Sequence, residues 1–168
     1  EDGFLSEQNV LERVLPELVD CKLIDSEDVN IAFLSDPNIG KINAYGLNES
    51  GERLQVYLVN DNAIKLGATL DELSVSRKST YDSKFGAGVN LIRKSIKGYL
   101  TDELQDSSEL TLLNSQLRTS DFLHQIDVIE FILISPTATV ETRGSDLGFK
   151  RIEFEDSEIE IKYNLGRE

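Results

Sequence analysis

Two extended segments joined by a turn constrain the fold of this chain more than any other feature of its sequence. Residues 42–47 place Ile, Ala and Gly in alternation with Asn, Tyr and Leu, and residues 54–59 alternate in the same way. The intervening residues carry the turn formers Asn48 and Gly51. This arrangement predicts a β-hairpin. Because the second segment is apolar on both sides from Val56 to Val59, we expect it to lie inside a sheet and not at its edge.

Three helices are predicted from apolar stripes with helical spacing. Ser6 can cap the first, and Pro16 is expected to end or kink it near Leu15. The second is expected over residues 79–104, and the third begins at a capping serine at position 107 or 108. The stripes consist of Val10, Leu11, Val14, Leu15, Leu18 and Val19 in the first helix, of Phe85, Val89, Ile92, Ile96 and Tyr99 in the second, and of Leu110, Leu113 and Leu117 in the third.

Further extended segments complete the order of elements. Residues 29–33 alternate, residues 126–134 form a β-branched apolar run, and residues 150–154 predict another strand. Residues 159–163 alternate like a strand but could equally begin a helix. We therefore expect an α+β fold, a mixed sheet flanked by helices around the central hairpin, in a single domain over residues 1–168.

The charge of the chain excludes some classes of function. Seventeen Lys and Arg stand against 31 Asp and Glu, a formal net charge of -14, which excludes a generally basic nucleic-acid binder. No apolar run reaches the roughly 20 residues that span a bilayer, so we expect no membrane partner. Cys21 is the only cysteine and cannot form an internal disulfide. A cytoplasmic location is therefore predicted.

One region is basic against this acidic background. Between positions 77 and 97 six basic residues accompany Asp82 alone, a local charge of +5. They could contact phosphates of a nucleic acid or an acidic protein partner, or they could simply form a solvated helix face. These residues are Arg77, Lys78, Lys84, Arg93, Lys94 and Lys97.

The order of elements, a helix, then a hairpin, then a helix and a core strand, is also that of the restriction-endonuclease-like core. In that fold an acidic residue on the first hairpin strand and a Glu-x-Lys triplet on the second hold a divalent cation for phosphodiester hydrolysis.

Several segments read together resemble the N-terminal region of the abortive-infection phage-resistance family, AIPR. The likeness covers most of the chain, and includes a helix containing Phe85 followed by a leucine-bearing helix. It implies a nuclease-like domain of a bacterial anti-phage protein, and the larger C-terminal domain of the same protein as a partner. The absence of any methionine agrees with a fragment of a longer protein. The segments are Lys41-Ile42-Asn43-Ala44-Tyr45-Gly46, Arg53-Leu54-Gln55-Val56-Tyr57-Leu58-Val59-Asn60, Ile129-Glu130-Phe131-Ile132-Leu133-Ile134-Ser135 and Ile152-Glu153-Phe154-Glu155-Asp156.

The chain departs from the family at the positions that carry chemistry. Where the family tends to show Ile-Asp-Gly-Tyr, this sequence has Asn43 in place of the carboxylate, and Gln55-Val56-Tyr57 replaces the Glu-x-Lys triplet. An amide oxygen can coordinate a hard cation but brings no negative charge. Glu12 and Asp61 are the carboxylates that could assemble a residual site.

Three hypotheses follow. In the first, the domain is a degenerate nuclease that acts in interaction or assembly, and Asn43 and Gln55 are ordinary polar residues on the less buried face of the hairpin. In the second, Glu12, Asp61 and a lysine of the basic helix hold Mg²⁺ and cleave nucleic acid. In the third, the acidic surface mimics nucleic-acid charge and occupies a basic partner.

Overall fold

The computed structural model describes residues 7–20, 22–59, 75–76, 78–100, 108–134, 138–139, 147–154 and 157–166. The helices are α1 (Glu7–Asp20), α2 (Lys78–Ile96), α3 (Ser108–Leu117) and α4 (Ser120–Gln125). The strands are β1 (Asn30–Asp36), β2 (Gly40–Leu47), β3 (Arg53–Val59), β4 (Val75–Ser76), β5 (Val128–Ile134), β6 (Ala138–Thr139), β7 (Leu147–Phe154) and β8 (Ser157–Gly166).

Within the described residues, six strands form one mixed sheet in the order β1-β2-β3-β5-β8-β7. The predicted hairpin is β2 and β3, which pair antiparallel, while β3 pairs parallel with β5 and β5 pairs parallel with β8. The antiparallel strand β7 follows β8, and a separate parallel pair joins β4 to β6. The fold is therefore α+β, and β3 lies inside the sheet as predicted.

Both faces of the central strands are covered by helices, which explains why β3 and β5 are apolar on both sides. Leu58 and Phe131 face the cluster that contains α2 and α3, whereas Tyr57 and Ile132 face α1. Neighbouring positions on a strand point to opposite faces, so a strand packed between two helical layers needs apolar residues at consecutive positions.

Helix α1 continues through Pro16 to Asp20, so the prediction that it ends near Leu15 is wrong. Pro16 is exposed. A proline removes one hydrogen bond to the carbonyl four residues earlier, that of Glu12, and on the solvent side water can satisfy that carbonyl. The predicted cap Ser6 lies outside the described residues.

Helix α2 ends at Ile96, eight residues before the predicted end. Gly98 adopts a φ of 78°, and its N–H donates to the carbonyl of Ser95 while the N–H of Tyr99 donates to that of Lys94. This pair of bonds is the Schellman ending, in which a glycine takes the left-handed conformation. The apolar spacing continues past Gly98, so the sequence pattern predicted a helix end that lies too far along the chain.

Two elements differ from the sequence prediction in other ways. Helix α4 was not predicted. In β1 the alternation correctly predicted a strand, but Phe33 is 53% exposed and Ile31 is 36% exposed, while Ala32 between them is buried. Strand β1 is one of the two edge strands of the described sheet, and only its other face packs on the cluster around α2 and α3.

Candidate functional site

The candidate site lies where the ladder between β2 and β3 ends, on the side of α1. The ladder stops at the pair Ala44–Tyr57. Beyond it the Asn43 side chain takes over, because its Oδ1 accepts the backbone N–H of Val59 at 2.9 Å. Asn43 Nδ2 donates to Glu7 Oε1 at 3.2 Å, and the residue is only 4% exposed. Both ends of the amide are therefore used.

Lys41 completes this arrangement. Its Nζ donates to the backbone carbonyl of Val59 at 2.8 Å and lies 2.5 Å from Glu7 Oε1. The Lys41 side chain is buried, so its charge needs a partner, and Glu7 in the first turn of α1 supplies it. Two side chains of β2 thus satisfy both backbone polar groups of Val59, and Glu7 ties them to α1.

Gln55 belongs to a second buried group on the same side of the sheet. Its Nε2 donates to Glu130 Oε1 at 3.0 Å and to the Leu23 carbonyl at 3.3 Å. Glu130 is 1% exposed, and its Oε2 lies 3.9 Å from Arg53 Nη1. Gln55 pairs with Gly46 on β2, three positions from Asn43, so the two amides serve separate groups.

Tyr57 borders the Gln55 group. Burial raises the pKa of its hydroxyl well above the ordinary value, and the carboxylates of Glu130 and Asp25 raise it further. An ionised tyrosine here would face two negative charges in a dry environment. Tyr57 is therefore held neutral and is suited to packing.

The remaining predicted site residues do not join these groups. Glu12 is exposed on α1 and accepts a hydrogen bond from Gln8 Nε2 at 2.9 Å. Asp61 lies outside the described residues. In the part of the chain that the structure describes, no three His, Cys, Asp or Glu side chains are grouped so that they could hold a metal ion.

The predicted basic residues separate by location. Lys84 and Arg93 line a cleft between α2 and the turn that joins β1 to β2, whereas Lys97 is exposed near the end of α2. Lys94 is partly exposed, and it donates to the backbone carbonyl of Asn38 in that turn. Lys78 is the first residue of α2, and Arg77 lies outside the described residues.

Asn43 and Gln55 were also interpreted as polar residues on the less buried face of the hairpin, and this is wrong because both are buried. Sequence reasoning missed Glu7, Lys41 and Glu130. The signal for Glu130 was a charge inside an apolar run, which requires a partner when both faces of the strand are covered. For Glu7 no spacing rule connects it to β2, 34 residues away at Lys41.

Comparison of the chain with family models, with curated proteins and with solved structures found no match. No helix in the described part of the chain combines the length and the apolar character that a membrane span requires.

Proposed function

We propose that this chain is a nuclease-like domain without a hydrolytic centre, which acts in interaction or assembly within a cytoplasmic, bacterial anti-phage protein of the abortive-infection type. The restriction-endonuclease-like relationship and the anti-phage role follow from the sequence resemblance. The observation that carries the loss of hydrolysis is the use of both ends of the Asn43 amide inside the fold.

A divalent cation bound by Asn43 would have to break hydrogen bonds that stabilise the fold. Asn43 Oδ1, the atom that would coordinate the metal, already accepts the N–H of Val59. Moving it would leave a buried backbone donor without a partner, at a cost of about 1–3 kcal/mol. The Lys41 ammonium, held next to Glu7, would also repel a divalent cation.

The position of the Glu-x-Lys triplet supports the same proposal. Gln55 brings neither the carboxylate nor the lysine of that triplet, and its Nε2 donates to Glu130 and to the Leu23 carbonyl. The nearby carboxylate of Glu130 is buried and already accepts a hydrogen bond from Gln55.

The test is calorimetric titration of the chain with Mg²⁺ and with Mn²⁺, alongside the Asn43→Asp variant and a nuclease assay on single- and double-stranded DNA and RNA. We expect no heat of binding and no cleavage from the native chain. Binding gained only by Asn43→Asp would agree with a nuclease-like pocket that has lost its charge. Native binding that disappears on Asp61→Asn, accompanied by cleavage, would contradict the proposal and favour an active Mg²⁺-dependent nuclease.

A further inference from the structure

A cleft of about 670 Å³ separates the middle of α2 from the turn that joins β1 to β2. Its α2 side carries Lys84, Gly86 and Arg93, and its turn side carries Asp36 and Lys41. Lys84 and Arg93, two of the basic residues of α2, therefore line a concave surface in this acidic chain.

Contacts between the turn and the helix fix the shape of the cleft. Asn90 Nδ2 donates to the Ile39 carbonyl at 2.9 Å, and Lys94 donates to the Asn38 carbonyl. Gly40, with a φ of 133°, packs so closely on α2 that a Cβ there would collide with the carbonyl of Ala87. A ligand would therefore meet a preformed surface and would not have to order it.

The charged side chains that line the cleft differ in the partners they have within the protein. Asp36 Oδ1 accepts the backbone N–H groups of Asn38 and Ile39, at 2.7 and 3.3 Å, and Lys41 is paired with Glu7. Arg93 is partly exposed, and its guanidinium makes no hydrogen bond or ion pair with any residue that the structure describes. A guanidinium offers five donors in a planar fork that matches phosphate oxygens, so this arrangement is built to receive an anion.

We propose that this cleft binds a phosphate-bearing small molecule of nucleotide size. Arg93 would hold one phosphate through two hydrogen bonds, and Lys84, which also has a contact within the protein, adds a positive charge to the lining of the same cleft. Gly86 also lines the cleft and leaves room, since a Cβ built there has no neighbour within 4 Å. The volume falls in the range of small-molecule sites, roughly 300–1,000 Å³. A polynucleotide is disfavoured because the net charge of -14 repels an extended polyanion.

The test is calorimetric titration at low salt with ADP, with inorganic pyrophosphate and with a single-stranded oligonucleotide. We expect ADP and pyrophosphate to bind, and Arg93→Gln to weaken both by about tenfold or more. Lys97→Gln is the matched control, because it removes one positive charge from the exposed residue that directly follows the same helix, outside the cleft. We expect it to leave the affinity within about twofold.

A second variant separates loss of the ligand from loss of the fold. Gly86→Gln places a side chain in the cleft where nothing in the protein opposes it. We expect it to abolish ADP binding while the urea midpoint of unfolding stays the same or rises. The proposal is overturned if neither ADP nor pyrophosphate binds, if Gly86→Gln binds normally, or if the oligonucleotide binds more tightly and loses as much affinity on Lys97→Gln as on Arg93→Gln.

Discussion

The Oδ1 atom of Asn43 accepts the backbone N–H of Val59 at 2.9 Å, at the point where the ladder between β2 and β3 has ended. A side chain thus replaces a backbone carbonyl and extends the pairing of the hairpin past Ala44. The residue that the family resemblance singles out as a lost metal ligand is therefore a structural part of the sheet, and its chemistry can be tested by stability as well as by metal binding.

Replacing Asn43 by Asp should destabilise the fold. The new carboxylate keeps an acceptor for Val59 but loses the donor to Glu7 and faces that carboxylate across about the same distance. We expect the free energy of unfolding to fall by roughly 1–3 kcal/mol near neutral pH. Urea denaturation would measure this.

Asn48→Asp is the matched control for that variant. Asn48 Oδ1 also accepts a backbone N–H, that of Arg53, but it lies in the partly exposed hairpin turn. We expect a change within about 0.5 kcal/mol there. Equal effects of the two substitutions would show that burial beside Glu7 is not the cause.

Removing Glu7 should leave the buried ammonium of Lys41 without its countercharge. Since Glu7 is itself 25% exposed, water can replace part of the contact, and we expect Glu7→Ala to lower the free energy of unfolding by about 2–3 kcal/mol. Glu12→Ala removes a carboxylate from the exposed side of the same helix and should cost under about 0.5 kcal/mol. A urea series on both variants compares them, and similar losses would contradict the role given to Glu7.

Gly40 and Gly86 should respond to alanine in opposite directions. Gly40→Ala introduces a Cβ that collides with the Ala87 carbonyl and with Leu91 on a backbone of φ 133°, so we expect a loss of about 3 kcal/mol or more. Gly86→Ala fills open space within a helix and should gain about 0.5–1 kcal/mol. Thermal unfolding followed by circular dichroism would distinguish the two variants. A loss of stability in Gly86→Ala would contradict the open space described at Gly86.

Alkaline pH should weaken the fold through Tyr57. Its pKa is raised in the folded protein from the ordinary 10.0, so the folded state retains the proton while the unfolded chain releases it. The contribution of the neutral hydroxyl is complete below pH 10 and is lost as the pH rises above it, by about 1.4 kcal/mol per pH unit. Tyr57→Phe should reduce this slope in urea unfolding measured across alkaline pH. An unchanged slope would show that Tyr57 ionises equally in both states.

Local patterns were sufficient for the elements whose burial is decided by nearby residues. The alternation around the turn at Asn48 predicted the hairpin, and the stripe from Val10 to Leu18 predicted α1, because hydrophobic periodicity expresses which face is buried. The end of α2 was misplaced since the left-handed conformation of Gly98 interrupts the helix while the apolar spacing continues.

The sequence by itself determined an acidic α+β domain, the central place of β3 and a local excess of positive charge along α2. Only the tertiary structure decided what the polar residues do. It brought Glu7 to Lys41 and Asn43, joined Gln55 to Glu130 across parallel strands, and placed Arg93 in a cleft. These contacts connect residues far apart in the chain. A buried polar group pairs with whichever partner the packing of helices and sheet places beside it. No local sequence pattern could therefore specify these contacts.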